Sequence, residues 1–399
     1  MRDASGEPES CAAPAGLLPD YAGGSLLNLM QSIALASGVS ACAHAPLRGL
    51  DVGRLKAATH LVLILADGLG LHTLTGAGRG SALHGHLHGW ASSVFPSTTA
   101  AAITTVMTGL APQQHALTGW HMYFREIDRV LASLPLSPRD GGTIAPELLP
   151  LAPRLFAHRS LYGSLDRRSW VISPARIDDA PFNRHHSQGA SRIAYGDLEG
   201  MFEAIECLLA GSGERRFIYA YFPDLDEAAH EHGIASEEVS GCLAAFDRRF
   251  ARFADSIRGS DTAVIVTADH GFIDAPPRRR IELDDHPRLA AMLRRPLCGE
   301  RRIAYCYVRE ACHEQFERYV CGELGHACAV RRSRDLIRAG WFGPGEENPE
   351  LASRIGDYTL VMKEDWTILD RLPGEKRHRM VGVHGGISAQ EMRVPVITL

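Results

Sequence analysis

Four short stretches of the chain carry carboxylates and imidazoles at places where they could share a cation. Asp67 follows an apolar run in LVLILADGLG, and Asp269 with His270 follows another in TAVIVTADHGF. Asp226 and His230 lie four residues apart after a third run, in FIYAYFPDLDEAAHEH. His384 stands among glycines in VGVHGGIS. Carboxylate plus imidazole suits zinc or a similar divalent ion. Taken singly, each stretch has a plainer reading. Asp67 could cap a helix. The sequence Asp269-His270-Gly271 could be a polar turn, and 226–230 a solvated helix start with Asp224 and His232 as competing donors. His384 could be structural. Three acidic or acid-and-imidazole sets, each just past an apolar run, are more specific together, because open α/β sheets bind ligands at the carboxyl ends of their strands.

A hydroxyl-rich stretch supplies the partner for such ions. In FPSTTAAAITTVMTGLAPQQHALTGW, residues 95–120, a loop ending in Ser97, Thr98 and Thr99 runs into small helix-forming residues. A hydroxyl at a helix N-terminus sits where backbone N–H groups and the helix dipole favour phosphate oxygens. The plainer reading is N-capping by Ser97 or Thr98. With the ligand sets beside it, the stretch offers a nucleophile, Thr98 or Thr99. Asp67, Asp269, His270 and a threonine would hold one ion; Asp226, His230 and His384 would hold the other. Two such ions clamp the attacking and leaving oxygens of an in-line displacement, and a hydroxyl next to one of them becomes a usable nucleophile.

These residues need a scaffold of buried strands. Continuous apolar runs at 61–66, 217–221 and 262–267 predict strands covered on both faces. Shorter runs at 170–172, 303–308, 358–362 and 394–397 are further candidates. Helical patterns at 197–210 and 236–258, the latter with Ser236 as its cap, alternate with them. Alternation of this kind predicts an α/β fold with helices on both faces of a sheet. Residues 134–153 carry five prolines and predict a surface loop.

Composition fits a globular chain and excludes a disordered or fibrous one. The chain has 399 residues, 45% hydrophobic and 22% charged, enough to bury a large core without staples. A net charge of −5 argues against stable nucleic-acid binding. The polar start, MRDASGEPES, lacks a secretory pattern, and no apolar run reaches membrane-spanning length, so a cytoplasmic location is expected. The nine cysteines form no CxxC pair, which disfavours a disulfide scaffold. Five fall at 298, 306, 312, 321 and 328 near His313 and His326, a minor possibility for a structural metal. Residues 276–379 read as an insertion between a core of 55–275 and 380–399, with 1–54 an N-terminal extension in which 1–50 shows nothing functional. Between 278 and 338 stand 14 arginines and 9 acidic residues, with no lysine. Arg278, Arg279, Arg280, Arg301 and Arg302 are candidates to contact an anionic substrate.

The ordered set DG, FPxxT, a TGL-type turn, DxxxH, DHG and HGG resembles the alkaline phosphatase superfamily, and within it the type I phosphodiesterase/nucleotide pyrophosphatase family. The resemblance covers roughly 60–275 plus the final twenty residues. It implies an alkaline-phosphatase-like three-layer sandwich with a mostly parallel central sheet and a smaller cap, which makes 276–379 a cap-like insertion. It also implies Thr99 as nucleophile, the third residue after Pro96. Asp67, Asp269 and His270, and Asp226, His230 and His384, are implied as ligands of two zinc ions, with Thr99 also at the metal. The implied reaction passes through a phosphothreonine that water hydrolyses. Several positions depart from the family, and those at 120, 98 and 102 bear on nucleotide specificity. Trp120 stands where nucleotide pyrophosphatases carry a phosphate-contacting asparagine. Thr98 replaces a lysine, Ala102 an asparagine and Leu225 a proline. The sulfatase signature C-x-P-x-R is absent.

The expected function is therefore a metal-dependent phosphoester hydrolase acting on a small phosphorylated substrate. The alternatives are a phosphomonoesterase or phosphonate hydrolase on the same frame, or a non-catalytic relative that binds a phospho-ligand. A phosphomutase is disfavoured, since it would use serine and manganese.

Overall fold

The protein is described here by a computed structural model over residues 15–40, 42–211, 213–375 and 379–399. The polar N-terminal stretch read above for a signal lies outside the described residues.

The apolar run at 61–66 becomes the strand His60–Ala66, buried along its whole length. It lies inside a seven-stranded sheet, paired in parallel with Arg216–Phe222 on one side and Thr262–Thr267 on the other. Strands covered on both faces are apolar at every position rather than at alternate ones, which is why these three were legible. Beyond Arg216–Phe222 come Arg168–Pro174 and Ala190–Tyr195, again parallel. Beyond Thr262–Thr267 comes Arg393–Thr398, antiparallel to it, and then Leu87–Ser92. The mostly parallel, helix-flanked α/β sheet expected from the sequence is the one observed.

Both predicted long helices form. Leu198–Leu209 is capped by Asp197, whose side chain accepts from the Gly200 N–H at 2.9 Å. Glu237–Ser256 is capped by Ser236, which accepts from the Val239 N–H at 3.2 Å. A side-chain oxygen at this position satisfies one of the donors a helix start leaves open.

A second seven-stranded sheet, antiparallel throughout, runs Cys328–Arg332, Tyr358–Met362, Ile303–Cys306, Cys298–Gly299, His121–Phe124, Arg129–Ala132 and Ser137–Pro138. The predicted strands at 303–308 and 358–362 belong to it. Part of the proline-rich stretch does too: Ser137–Pro138 pairs with Arg129–Ala132 instead of staying a free loop. Residues 1–50, which suggested nothing, supply the buried helix Leu26–Ala36. It packs on the helix Thr99–Thr108, and Gln31 Nε2 donates to the Gly109 carbonyl at 2.8 Å.

Candidate active site

Each predicted ligand sits just past a strand or on the turn or helix that follows it. Asp67 leaves His60–Ala66, and its N–H donates to the Phe222 carbonyl of the neighbouring strand at 2.8 Å. It caps no helix: the next one, Leu71–Thr75, starts after Gly70. Asp269 and His270 leave Thr262–Thr267. Gly271 is required there by close approach, since a Cβ would stand 2.1 Å from the Gln390 carbonyl oxygen. Asp226 and His230 occupy one face of the helix Asp224–His232. His384 follows Gly382–Val383, which pairs with Ile273–Asp274.

These side chains converge as two groups, Asp67 with Asp269 and His270, and Asp226 with His230 and His384; in each, one donor atom per residue lies within 4.8 Å of the others. The groups adjoin. The Nε2 of His270 is 3.5 Å from Asp67 Oδ1, 3.3 Å from Asp269 Oδ2 and 3.9 Å from Asp226 Oδ1. The rings of His270 and His384 stack at 3.7 Å. The competing donors stay outside: His232 faces Glu231 and Glu238, and Asp224 joins neither group.

The donor chemistry fits divalent cations. His230 holds its Nδ1 on the Gly382 carbonyl at 2.9 Å, His384 on that of Ser97 at 3.3 Å, and His270 on that of Gly271 at 3.2 Å. Carbonyls only accept, so each Nδ1 carries the proton and each Nε2 presents a lone pair inward. Burial pushes all three imidazoles below their ordinary range, His230 to about 4, which keeps them neutral. The Nε2 atoms of His230 and His384 then face each other at 3.2 Å as two lone pairs. Only an electropositive centre makes that contact favourable. The carboxylates point the same way. Asp67 Oδ1, Asp226 Oδ1 and Asp269 Oδ2 are buried with no hydrogen-bond partner. Burial first, then mutual repulsion with Asp269, raises Asp67 and Asp226 well above the carboxylate range. Such orphaned charges call for a cation. Neither group contains a cysteine, so the cluster at 298–328 forms no metal-competent site among the described residues.

Thr99 opens the helix Thr99–Thr108, and its hydroxyl lies 3.1 Å from His270 Nε2, beside both groups. Neither neighbouring hydroxyl performs the capping that the plainer reading allows. Ser97 Oγ donates to the Gly386 carbonyl at 2.7 Å, and Thr98 Oγ1 donates to Glu300 Oε1 at 2.6 Å. Thr98 thus spends its hydroxyl on a residue of the second sheet.

Thr98, Thr99, Asp226, His230 and His384 line one cleft of ≈ 1330 Å³, whose other wall comes from the second sheet and its flanks. Trp120 is on its rim, 42% exposed. The five arginine candidates separate here. Arg280 and Arg301 line the cleft. Arg302 does not reach it: it is buried on Glu391, correcting its proposed role as a substrate contact. Arg279 is paired with Glu364 and Asp365, and neither it nor Arg278 lines the cleft.

Three functional neighbours escaped the sequence. The Tyr221 hydroxyl donates to Asp67 Oδ2 at 2.5 Å. Glu391 accepts from the Gly386 N–H at 2.8 Å, holding the turn after His384. Glu300 stands in the cleft, pushed up to about 7 chiefly by burial. Tyr221 could have been suspected as a polar tip in a buried strand; Glu300 and Glu391 lie in no recognisable pattern.

The sequence matches the type I phosphodiesterase / nucleotide pyrophosphatase family over residues 61–387. The chain belongs to that family. It is therefore a member of the alkaline phosphatase superfamily and a hydrolase of phosphoester or phosphoanhydride bonds. No curated protein sequence matches it significantly. Among solved structures it is similar to murine ectonucleotide pyrophosphatase/phosphodiesterase 5, an inactive variant in complex with AMP, with TM-score 0.62 at 14% identity over 84% of this chain and 87% of that one. The human form gives 0.61 at 16% identity over 85% and 87%. Phosphonoacetate hydrolase from Sinorhizobium meliloti, in complex with phosphonoacetate, gives 0.61 at 16% identity over 84% and 89%. At these identities the likeness is one of fold. Among the described residues no helix is long and apolar enough to cross a membrane.

Proposed function

We propose that the protein hydrolyses a phosphodiester, pyrophosphate or phosphonate-type bond of a small substrate with Thr99 as nucleophile. The observation that carries this is the Thr99 hydroxyl at a helix N-terminus, 3.1 Å from His270 Nε2 and adjoining two clusters of unsatisfied donors. Asp67, Asp269, His270 and Thr99 would hold one zinc-type ion, and Asp226, His230 and His384 the other. Bound ions there would lower the pKa of a nearby hydroxyl and neutralise charge on phosphoryl oxygens.

The chain's own groups set up the reaction. The N-terminal amides of Thr99–Thr108 face the phosphoryl site and favour its negative charge. The Thr99 oxygen attacks phosphorus and releases its proton to solvent as the bond to the leaving group breaks; the leaving group departs with the bonding electron pair and takes up a proton from solvent. Water then cleaves the phosphothreonine and restores the hydroxyl. Carbonyl-anchored imidazoles keep the site rigid through both steps. In the same proposal, residues 276–379 act as the cap, their strands continuing into 121–138 across the cleft.

The test is metal analysis with turnover of bis-p-nitrophenyl phosphate and p-nitrophenyl phosphate. Wild type should bind metal and hydrolyse at least one ester. Thr99→Ala should keep its metal and lose activity by roughly 10³-fold or more, the scale seen when a nucleophile is removed. Retained activity would move the nucleophile, with Thr98 next to be examined. Metal-loaded wild type that turns over neither ester would favour a phospho-ligand-binding relative.

A further inference from the structure

Glu300 occupies a position unusual for a site that must accept phosphoryl oxygens. It lies at the end of the short strand Cys298–Gly299 and enters the cleft from the second sheet. Its Oε1 accepts two hydrogen bonds, from the Thr98 hydroxyl at 2.6 Å and from the Trp120 N–H at 2.7 Å. Thr98 directly precedes the proposed nucleophile. Glu300 also packs over Gly385, the residue after His384: a Cβ at Gly385 would stand 2.9 Å from that of Glu300. The like charge of Glu300 is felt at Asp226. The carboxylate is thus held by two hydrogen bonds, one of them from the residue that precedes Thr99.

This arrangement removes donors from the phosphoryl site. At position 120 the backbone N–H is already engaged by Glu300, and the side chain is a half-exposed indole with a single donor. The Thr98 hydroxyl is engaged as well. Arg280 and Arg301 line the same cleft, but against Thr98, the residue before the proposed nucleophile, the second sheet places a carboxylate. Two anionic groups a few ångströms apart in a partly enclosed cleft repel strongly.

We propose that Glu300 is a specificity-determining residue that rejects a phosphoryl group carrying a second negative charge and admits one whose extra oxygen is esterified. A phosphodiester, singly charged at phosphorus, meets Glu300 with a neutral ester oxygen. A phosphomonoester dianion meets it with charge against charge. This rests on the proposed phosphoester hydrolysis, but binding of inorganic phosphate tests it separately.

The experiment compares zinc-loaded wild type with Glu300→Gln and Glu300→Asp. For each, kcat/KM is measured at alkaline pH for p-nitrophenyl phosphate and bis-p-nitrophenyl phosphate, and inorganic phosphate affinity by calorimetry. Glu300→Gln removes the charge and keeps the acceptor oxygen. The monoester-to-diester ratio should rise roughly ten- to hundredfold, as expected for removing one nearby charge at intermediate dielectric. Phosphate should bind correspondingly tighter. Glu300→Asp, which keeps the charge, should stay close to wild type in the ratio. An unchanged ratio and unchanged phosphate affinity in Glu300→Gln overturn the assignment, as does a Glu300→Asp variant behaving like Glu300→Gln. If no protein hydrolyses either ester, the proposed function fails, and phosphate affinity alone still decides for or against Glu300.

Discussion

Arg302 and Glu391 form a two-point ion pair, Nε to Oε1 and Nη2 to Oε2, each at 3.1 Å, with both side chains withdrawn from solvent. The same carboxylate accepts from the Gly386 N–H at 2.8 Å and the Ser388 N–H at 3.3 Å. One buried acid therefore ties the turn behind His384 to the second sheet. Glu391→Ala should strand the Arg302 charge and destabilise the protein by about 3–5 kcal/mol, the cost of breaking a buried pair from one side. Denaturant unfolding measures this, and metal content should fall with it. A loss below about 1 kcal/mol would place the pair among the weak surface-type bridges instead.

A buried histidine group predicts acid sensitivity away from the active site. The Nε2 atoms of His158 and His186 are 2.8 Å apart, His186 Nδ1 donates to the Phe182 carbonyl at 2.9 Å, and His115 accepts from the Leu117 N–H at 3.0 Å. Burial holds all three below the ordinary histidine range, His158 at about 3. The folded state keeps them neutral while the unfolded chain takes up protons below about pH 6.5. Stability is therefore full above that value and falls as pH drops toward the folded pKa, by up to about 1.4 kcal/mol per pH unit for each ring. Melting temperatures between about pH 7 and 5 should show this slope, and His158→Leu should flatten it. Equal slopes in the two proteins would remove His158 from the group.

The cleft arginines separate by kinetics. Arg280 lines the cleft and Arg278 does not. Arg280→Ala should raise KM several-fold for an anionic substrate and leave the melting temperature nearly unchanged. Arg278→Ala should change neither, as expected for a solvated surface charge. Steady-state kinetics on both variants decide the matter; equal KM values would detach Arg280 from the substrate.

Chelation should lower thermal stability, because it returns three buried carboxylates to an uncompensated state. A ligand that binds only the folded state at about 100 times its Kd contributes about 2.7 kcal/mol. Unfolding with and without a chelator reads the difference, and zinc should restore it. A melting temperature indifferent to both would argue against resident ions.

What the sequence disclosed depended on how evenly each element is buried. His60–Ala66 and Thr262–Thr267 are covered on both faces, so each reads as an unbroken apolar run and announces the polar residues after it. Leu87–Ser92 and Ala190–Tyr195 lie at the two edges of the same sheet with mixed burial, and neither run stands out. The long helices were visible through their apolar periodicity and, for the second, the cap at Ser236; the Asp197 cap emerged only from the structure. The acids and imidazoles other than His384 were visible because each follows a legible strand; His384, after the two-residue strand Gly382–Val383, had only its glycine setting. Glu300 and Glu391 were not, since their importance comes from contacts across the molecule, to Trp120 and to Arg302. Residues 121–138 gave no sign that they extend a sheet begun at 298–306, because pairing between distant segments leaves no local periodicity.

The strand Arg393–Thr398 fills the gap between Leu87–Ser92 and Thr262–Thr267. During synthesis, those two neighbours leave the ribosome with that slot vacant and with unpaired amides along both margins, an arrangement prone to capture other strands. His384 is made just before the missing strand. Closure of the sheet and arrival of this imidazole are thus coupled, and shielding by a chaperone would matter most until then.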